Sequence, residues 1–145
     1  MPNSFHFQQA PGHLIRRAQQ LAVAIFMEET ESFDITPVQF AILSALMETP
    51  GADQVTLAGR VAFDPATSGS VIGRLEAKGL VRREADVRDR RRKLLWVTSE
   101  GERTVREMRR AVMRAQARIV GPLAEDEREQ FMQLLNKLVA GHEGE

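Results

Sequence analysis

Apolar side chains recur every three or four residues along most of the chain, a spacing that predicts amphipathic helices. The first predicted helix covers residues 12–31, and the second begins just after Thr36. Thr36 can cap that helix, Pro37 suits its first position, and Gln39 completes a capping box. Pro50-Gly51 then ends it, so these two helices are well bounded by the sequence alone.

The middle of the chain changes from helical spacing to short strand-like runs. Two short helices are predicted over 55–62 and 65–78, and Gly79 ends the second of them. Two strands are predicted over 80–84 and 93–97, joined by an arginine-rich loop. Two short helices followed by a β-hairpin predict a winged helix-turn-helix, in which the loop forms the wing.

Two longer helices are predicted at the C-terminal end, and both carry an apolar stripe. Their stripes include Val105, Met108, Val112 and Ile119 on one helix and Phe131 and Leu135 on the other. A winged helix buries its own apolar faces, so we expect the terminal helices to pair two copies into a symmetric homodimer. Packing within one chain is the alternative.

The predicted fold class is therefore mainly α with a small β-wing. A winged helix-turn-helix domain covers residues 36–98. It is flanked by an N-terminal helix over 1–35 and by C-terminal helices over 99–145, which together form the dimerisation region.

Composition excludes several classes of protein. The 145 residues include no cysteine, so there is no disulfide and no thiolate metal site. No apolar run approaches the ~20 residues of a membrane span, and the first residues lack the pattern of a secretory signal. We therefore expect a cytoplasmic protein with no membrane partner.

The charge is balanced overall but segregated along the chain. The 20 basic and 20 acidic residues give −3 over 1–50, +7 over 51–120 and −4 over 121–145. Of the basic residues, 17 are Arg, the side chain best suited to bidentate contacts with phosphates and base edges. The basic middle favours nucleic-acid binding, with a solvated, salt-bridged surface as the alternative.

The segment Asp86–Gly101 resembles the wing signature of MarR-family transcriptional regulators. It reads DVRDRRRKLLWVTSEG, similar to the family's D-x-R-D-x-R run followed by a strand and a T-x-x-G helix start. Arg74–Val81, Thr36–Phe40 and Leu57-Ala58 also fall where the family places its helices, and the resemblance covers about residues 10–140. It implies a dimeric, sequence-specific repressor that binds double-stranded DNA. A winged-helix module that binds only proteins is the alternative, and the arginine-rich wing speaks against it.

The resemblance also implies which residues meet DNA. The candidates are Thr67, Ser68, Gly69, Ser70 and Arg74 in the recognition helix and Asp86, Arg88, Asp89, Arg90 and Arg91 in the wing. Either Arg88 or Arg90 is expected to enter the minor groove, oriented by Asp86 or Asp89. One or two wing arginines are expected instead to tie the wing to the domain body. Gly69 indicates a close approach, either of DNA or of another helix.

The family's regulators are often released from DNA by small phenolic or aromatic anions that bind where the dimerisation helices meet the winged domain. Without cysteine, the thiol-oxidising branch of the family is excluded. Candidate ligand residues are His6, His13, Arg16 and Arg17, with Phe40, Leu43 and Leu14 as an apolar wall. Arg16 and Arg17 could instead pair with acids such as Glu28 or Glu31 of a second subunit, and His13 could cap or pack.

No cofactor, metal site or enzymatic activity is predicted. The three histidines lack nearby paired carboxylates. The sequence also has no nucleophile elbow, phosphate loop, dinucleotide fingerprint or H-E-x-x-H motif.

Overall fold

Helices dominate the fold, and a single hairpin supplies its β-structure. The computed structural model describes residues 5–143, and within that range it has six α-helices, two short 3-10 turns and a two-stranded antiparallel sheet. The helices are α1 (Pro11–Glu29), α2 (Pro37–Glu48), α3 (Gln54–Val61), α4 (Pro65–Ala77), α5 (Ser99–Ile119) and α6 (Glu125–His142), and the strands are β1 (Val81–Ala85) and β2 (Lys93–Val97). The mainly α fold with a small β-wing is confirmed.

Side-chain caps explain where the helices begin. The predicted capping box of α2 forms, because the Gln39 amide donates to Thr36 Oγ1 and the Thr36 amide donates to Gln39 Oε1, both at 3.1 Å. Asp53 caps α3 and Asp64 caps α4 by accepting the amide three residues on. Thr98 caps α5 in the same way.

The core lies between α2, α3, α4, β2 and the inner face of α5. Its fully buried side chains are Ile42, Leu43, Leu46, Leu57, Ile72, Leu75, Leu95 and Met108. Burying each such side chain stabilises the fold by roughly 1.5–3 kcal/mol. The winged helix is thus packed as a unit around one apolar cluster.

The inner stripe of α5 belongs to this core, which corrects part of the dimerisation prediction. Val105 and Met108 are buried within the chain, because α5 lies along α1 and α2. Neither side chain can therefore contact a second copy. Val112 and Ile119 are only half-buried.

The start of α5 against the hairpin requires a glycine. At Gly101, the space of a Cβ is already occupied by the backbone carbonyl of Leu80. The Thr98 hydroxyl also donates to the Gly79 carbonyl at 2.7 Å. These contacts join the end of the wing directly to the long helix.

The last helix has no inner face in a single chain. Every residue of α6 is exposed, including Phe131 and Leu135, at 39% and 37%. On α1, Leu14, Ile15 and Leu21 are exposed as well. No helix in the described part of the chain is long and apolar enough to cross a membrane.

Candidate nucleic-acid interface and effector cleft

The recognition helix α4 presents a polar stripe. Ile72 and Leu75 anchor its inner face in the core. Thr67, Ser70 and Arg74 are all exposed, three and four residues apart, so they share the outer face. The hydroxyl of Thr67 donates to Asp64 Oδ2 at 2.7 Å, which fixes the first turn of the helix. This stripe can present hydroxyl and guanidinium groups to a groove.

Ser68 is not part of that stripe, which corrects the sequence-based prediction. Its side chain is fully buried, and its hydroxyl has no hydrogen-bond partner among the described residues. In this conformation it cannot contact DNA, because it faces the interior of the domain.

Gly69 marks a close approach between two helices. A Cβ at this position would lie 2.9 Å from Nε2 of Gln54, so a larger residue would have to displace that side chain. Of the two explanations that the sequence left open, the structure favours tight packing of α3 on α4.

Arg74 remains available at the C-terminal end of the stripe. Glu76, the nearest acid in the sequence, does not pair with Arg74, because its Oε1 lies 3.8 Å from Nε of Arg83. Arg74 forms no ion pair within residues 5–143, so its guanidinium is not occupied by the protein surface there.

Two aspartates order the wing loop between β1 and β2. Oδ1 of Asp86 accepts the amide of Arg88 at 3.0 Å, and Oδ1 of Asp89 accepts the amide of Arg91 at 3.1 Å. These Asx turns shape the loop through its backbone. The Asp86 amide also donates to the carbonyl of Arg92 at 2.9 Å, which closes the loop.

The wing arginines fall into two groups. The side chains of Arg88 and Arg90 have no hydrogen bond or ion pair in the described part of the chain. Asp89 holds the side chain of Arg91, with 3.3 Å between Oδ1 and Nε. Among the described residues, the aspartates contact the loop backbone, including the Arg88 amide, and the side chain of Arg91, but not the guanidinium of Arg88 or Arg90. Orientation of Arg88 or Arg90 by an aspartate therefore stays a prediction. Arg92 instead contacts Asp53 on the domain body, as expected for one of the wing arginines.

The capping carboxylates of α3 and α4 are held in the ionised form. The Thr56 amide and hydroxyl, then Arg92, lower the pKa of Asp53. The amide and hydroxyl of Thr67 lower the pKa of Asp64. Both carboxylates therefore remain negative beside a basic surface, and they neutralise part of it.

Two of the predicted effector residues, His13 and Arg16, meet near the start of α1. Nη2 of Arg16 lies 3.0 Å from Nδ1 of His13, and the ring of Phe7 meets the His13 ring edge-on at 5.3 Å. His6 is exposed just before this cluster. Arg17 turns away and donates to Gln20 Oε1 at 2.8 Å.

Phe40 is not beside these cations, which corrects the predicted apolar wall. It packs against Phe26, with ring centroids 6.0 Å apart. Phe26 lies thirteen residues beyond His13, about 20 Å along α1 at the rise of a helix. Leu43 is fully buried in the core. Phe40 and Leu43 therefore cannot form one wall with Leu14 next to Arg16 in a single chain.

A different cleft lies further along α1. A cavity of about 140 Å³ lies between α1, the start of α2 and the end of α5, and it is lined by Gln19, Ala22, Val23, Phe26, Pro37, Gln116 and Ile119. Gln19 and Val23 lie three and seven residues after Arg16, on the same face of α1. That spacing is the sequence signal that could have identified these residues.

Acidic residues at the end of α1 already have partners in the chain. Arg114 Nε lies 3.0 Å from Glu29 Oε2, and Arg118 lies 3.1 Å from Glu29 and 3.4 Å from Glu28. Hydrogen bonds from Arg114 and Arg118 lower the pKa of Glu29. Glu28 is thus engaged by Arg118, which weakens the alternative that it binds Arg16 or Arg17 of a second subunit.

The packed helix-turn-helix, with a polar stripe on its second helix and an arginine-rich hairpin after it, defines a winged helix-turn-helix protein of the DNA-binding class. Comparisons with known proteins agree. The model of the MarR family matches residues 35–93. Transcriptional regulator HosA of Escherichia coli is 34% identical over 127 residues, which cover 88% of this chain and 93% of HosA. The chain belongs to the MarR family of transcriptional regulators.

Two solved structures share the fold closely. BpsR of Bordetella bronchiseptica, whose DNA binding is regulated by 6-hydroxynicotinic acid, is 34% identical with a TM-score of 0.89, covering 94% of this chain and 98% of BpsR. The transcriptional repressor CouR, bound to a 23-mer DNA duplex, is 25% identical with a TM-score of 0.84, covering 94% of this chain and 99% of CouR.

Proposed function

We propose that the chain is a homodimeric repressor that binds a pseudo-palindromic DNA duplex and is released by a small aromatic acid. The observation that carries the proposal is that the outer stripe of α4 lies in the same domain as Arg88 and Arg90, whose side chains have no partner among the described residues. Eight other arginines form ion pairs with carboxylates in the described part of the chain. Arg88 and Arg90 do not, so their guanidinium groups are available to phosphates and base edges. The duplex-bound CouR structure supports the same use of the fold.

Each half of the dimer would read one half-site. Thr67, Ser70 and Arg74 would enter the major groove, and Arg88 or Arg90 would reach the adjacent minor groove. Two such modules related by a two-fold axis place their recognition helices ~34 Å apart, one turn of DNA. The apolar faces of α1 and α6 supply the surface for the second copy.

The effector would bind in the cleft that begins at Gln19, one helical turn beyond Arg16 on α1. The guanidinium of Arg16 offers a partner to a carboxylate, while Val23, two turns further along α1, offers apolar contact to a ring. The cavity of about 140 Å³ is well below the roughly 300–1,000 Å³ of drug-sized sites, which favours a single-ring ligand. Regulation of BpsR by 6-hydroxynicotinic acid, a single-ring molecule, supports this class.

Release requires that the effector discriminate between two dimer arrangements. A ligand lowers DNA affinity only if it binds the DNA-incompetent arrangement more tightly than the competent one. A tenfold loss of DNA affinity needs ~1.4 kcal/mol of such preference. The cleft is lined by α1, α2 and α5, so a ligand there contacts both the winged domain and the long helices.

Fluorescence anisotropy tests the DNA-binding part. We expect the protein to select a pseudo-palindromic duplex from a random pool, with a log–log salt slope near −0.9 per phosphate neutralised. Affinity that is absent or indifferent to salt would overturn the proposal and favour a module that binds only proteins.

Isothermal titration tests the effector part, using 6-hydroxynicotinic acid and a panel of hydroxybenzoic acids as probes. We expect at least one of these to bind and to weaken DNA binding reciprocally. Arg16→Gln should abolish the effect, whereas Arg17→Gln, which removes the same charge one residue away, should preserve it. Equal ligand affinity for free and DNA-bound protein would refute the coupling.

A further inference from the structure

Arg92 differs from the other wing arginines because its side chain leaves the loop. Its Nε lies 2.8 Å and its Nη2 2.6 Å from Oδ2 of Asp53, the residue that caps α3. Its Nη1 lies 3.6 Å from Oδ2 of Asp86, at the other end of the loop. One guanidinium thus bridges the helix-turn-helix and the base of the wing.

Both anchors of this bridge are themselves fixed. Asp53 accepts the Thr56 amide at 2.7 Å and forms a β-bridge with Leu94, so it is joined to α3 and to β2. Asp86 is held to the backbone of Arg92. The two carboxylates are only 15% and 16% exposed, whereas the arginine is half exposed. Both carboxylates of the bridge are therefore held in place by the domain, unlike those of an ordinary exposed surface ion pair.

The charges at this place are unexpected for a DNA-facing surface. A carboxylate near phosphates weakens binding by repulsion, and two of them lie at the root of the wing. Both carboxylates form ion pairs with Arg92, whose positive charge offsets part of this repulsion. A planar guanidinium can hold two carboxylates at once in a fixed geometry, which an ammonium cannot.

We propose that Arg92 is a positioning residue of the wing, with Asp53 and Asp86 as its anchors. The bridge sets the angle between the loop and α4, so that Arg88 and Arg90 reach the duplex while the recognition helix lies in its groove. This inference rests on the proposed function, because it assigns a determinant of the same DNA interface.

The first test is Arg92→Lys, which keeps the positive charge and removes the two-carboxylate geometry. We expect affinity for the selected duplex to fall about tenfold, which is ~1.4 kcal/mol. The salt slope should become shallower, because wing arginines leave their phosphates. The thermal midpoint should stay near the wild-type value. A merely electrostatic role of Arg92 predicts wild-type affinity and slope, and that result would overturn the inference.

The second test is Asp53→Asn, for which charge and positioning predict opposite signs. Asparagine caps a helix as well as aspartate does, so α3 should stay folded. Loss of a negative charge alone would tighten DNA binding, whereas loss of the anchor would weaken it. Glu84→Gln is the matched control, since Glu84 is an exposed acid on β1 that pairs with Arg82 outside the bridge. We expect weaker binding for Asp53→Asn and no weakening for Glu84→Gln.

The two proposals fail in different ways. If wild-type protein shows no salt-sensitive duplex affinity, the proposed function is wrong. If wild-type protein binds as expected but Asp53→Asn binds more tightly, only the role of Arg92 is wrong.

Discussion

The winged helix and the C-terminal helix use similar apolar patterns with opposite results. In the first, Ile42, Leu46, Ile72 and Leu75 are fully buried within one chain. In α6, Phe131, Leu134, Leu135, Leu138 and Val139 form an equally regular stripe, yet all are exposed. An apolar stripe therefore shows that a helix needs a partner, and the topology decides whether the same chain provides it. Here the winged helix buries its apolar core within one copy and is the complete end of the chain. The apolar face of α6 stays exposed in one copy, so α6 is the incomplete end.

The largest expected effect comes from breaking the incomplete end. Leu135→Asp places a charge on the apolar face of α6, so we expect the dimer to dissociate, as light scattering would show. Affinity for the two-fold duplex should then fall on the order of 100-fold, because each half-site is bound separately. Gln133→Asp is the control, since residue 133 faces away from 135 at about 100° per residue. A Leu135→Asp protein that remains a tight-binding dimer would refute the pairing through α6.

Local signals in the sequence were enough to place the elements. The caps at Thr36 and Thr98 are made within three residues, so they can be seen without knowing the fold. The burial of Met108 could not be predicted, because periodicity identifies an apolar face but not the element that covers it. The bridge from Arg92 to Asp53 spans 39 residues, and only the folded chain brings those groups together.

Within the complete end, the two groups of wing arginines should respond differently. Arg90→Ala removes a side chain that has no partner within residues 5–143. We therefore expect DNA affinity to fall by ~1–3 kcal/mol with stability unchanged. Arg103→Ala removes the same charge from α5, where Arg103 pairs with Glu100 at 2.6 Å. Its effect on DNA affinity should be much smaller. Equal losses in fluorescence anisotropy would show that only net charge matters, which would sink the wing assignment.

The two serines of α4 sharpen the distinction between buried and exposed positions. Ser68→Ala removes a buried hydroxyl that has no partner in the described part of the chain, so urea unfolding should show stability unchanged or raised by up to about 1 kcal/mol. Its DNA affinity should match wild type. Ser70→Ala should instead leave stability nearly constant and weaken DNA binding. Should Ser68→Ala lose DNA affinity while remaining folded, the residue would belong to the interface after all.

The smallest effect concerns the ion pairs that hold α5 to α1. Because Arg114 and Arg118 lower the pKa of Glu29, the folded protein releases this proton at a lower pH than the unfolded chain does. Between the two pKa values the unfolded state binds more protons, so stability rises with pH there. The contribution is complete above the ordinary glutamate value of 4.5 and is lost as pH falls through the lowered one. Glu29→Gln should therefore flatten the acid limb of the stability curve below about pH 4.5, measured by urea unfolding, and leave its slope near pH 7 unchanged. An acid limb identical to that of wild type would show that these exposed pairs contribute nothing measurable to the joint between the two helices.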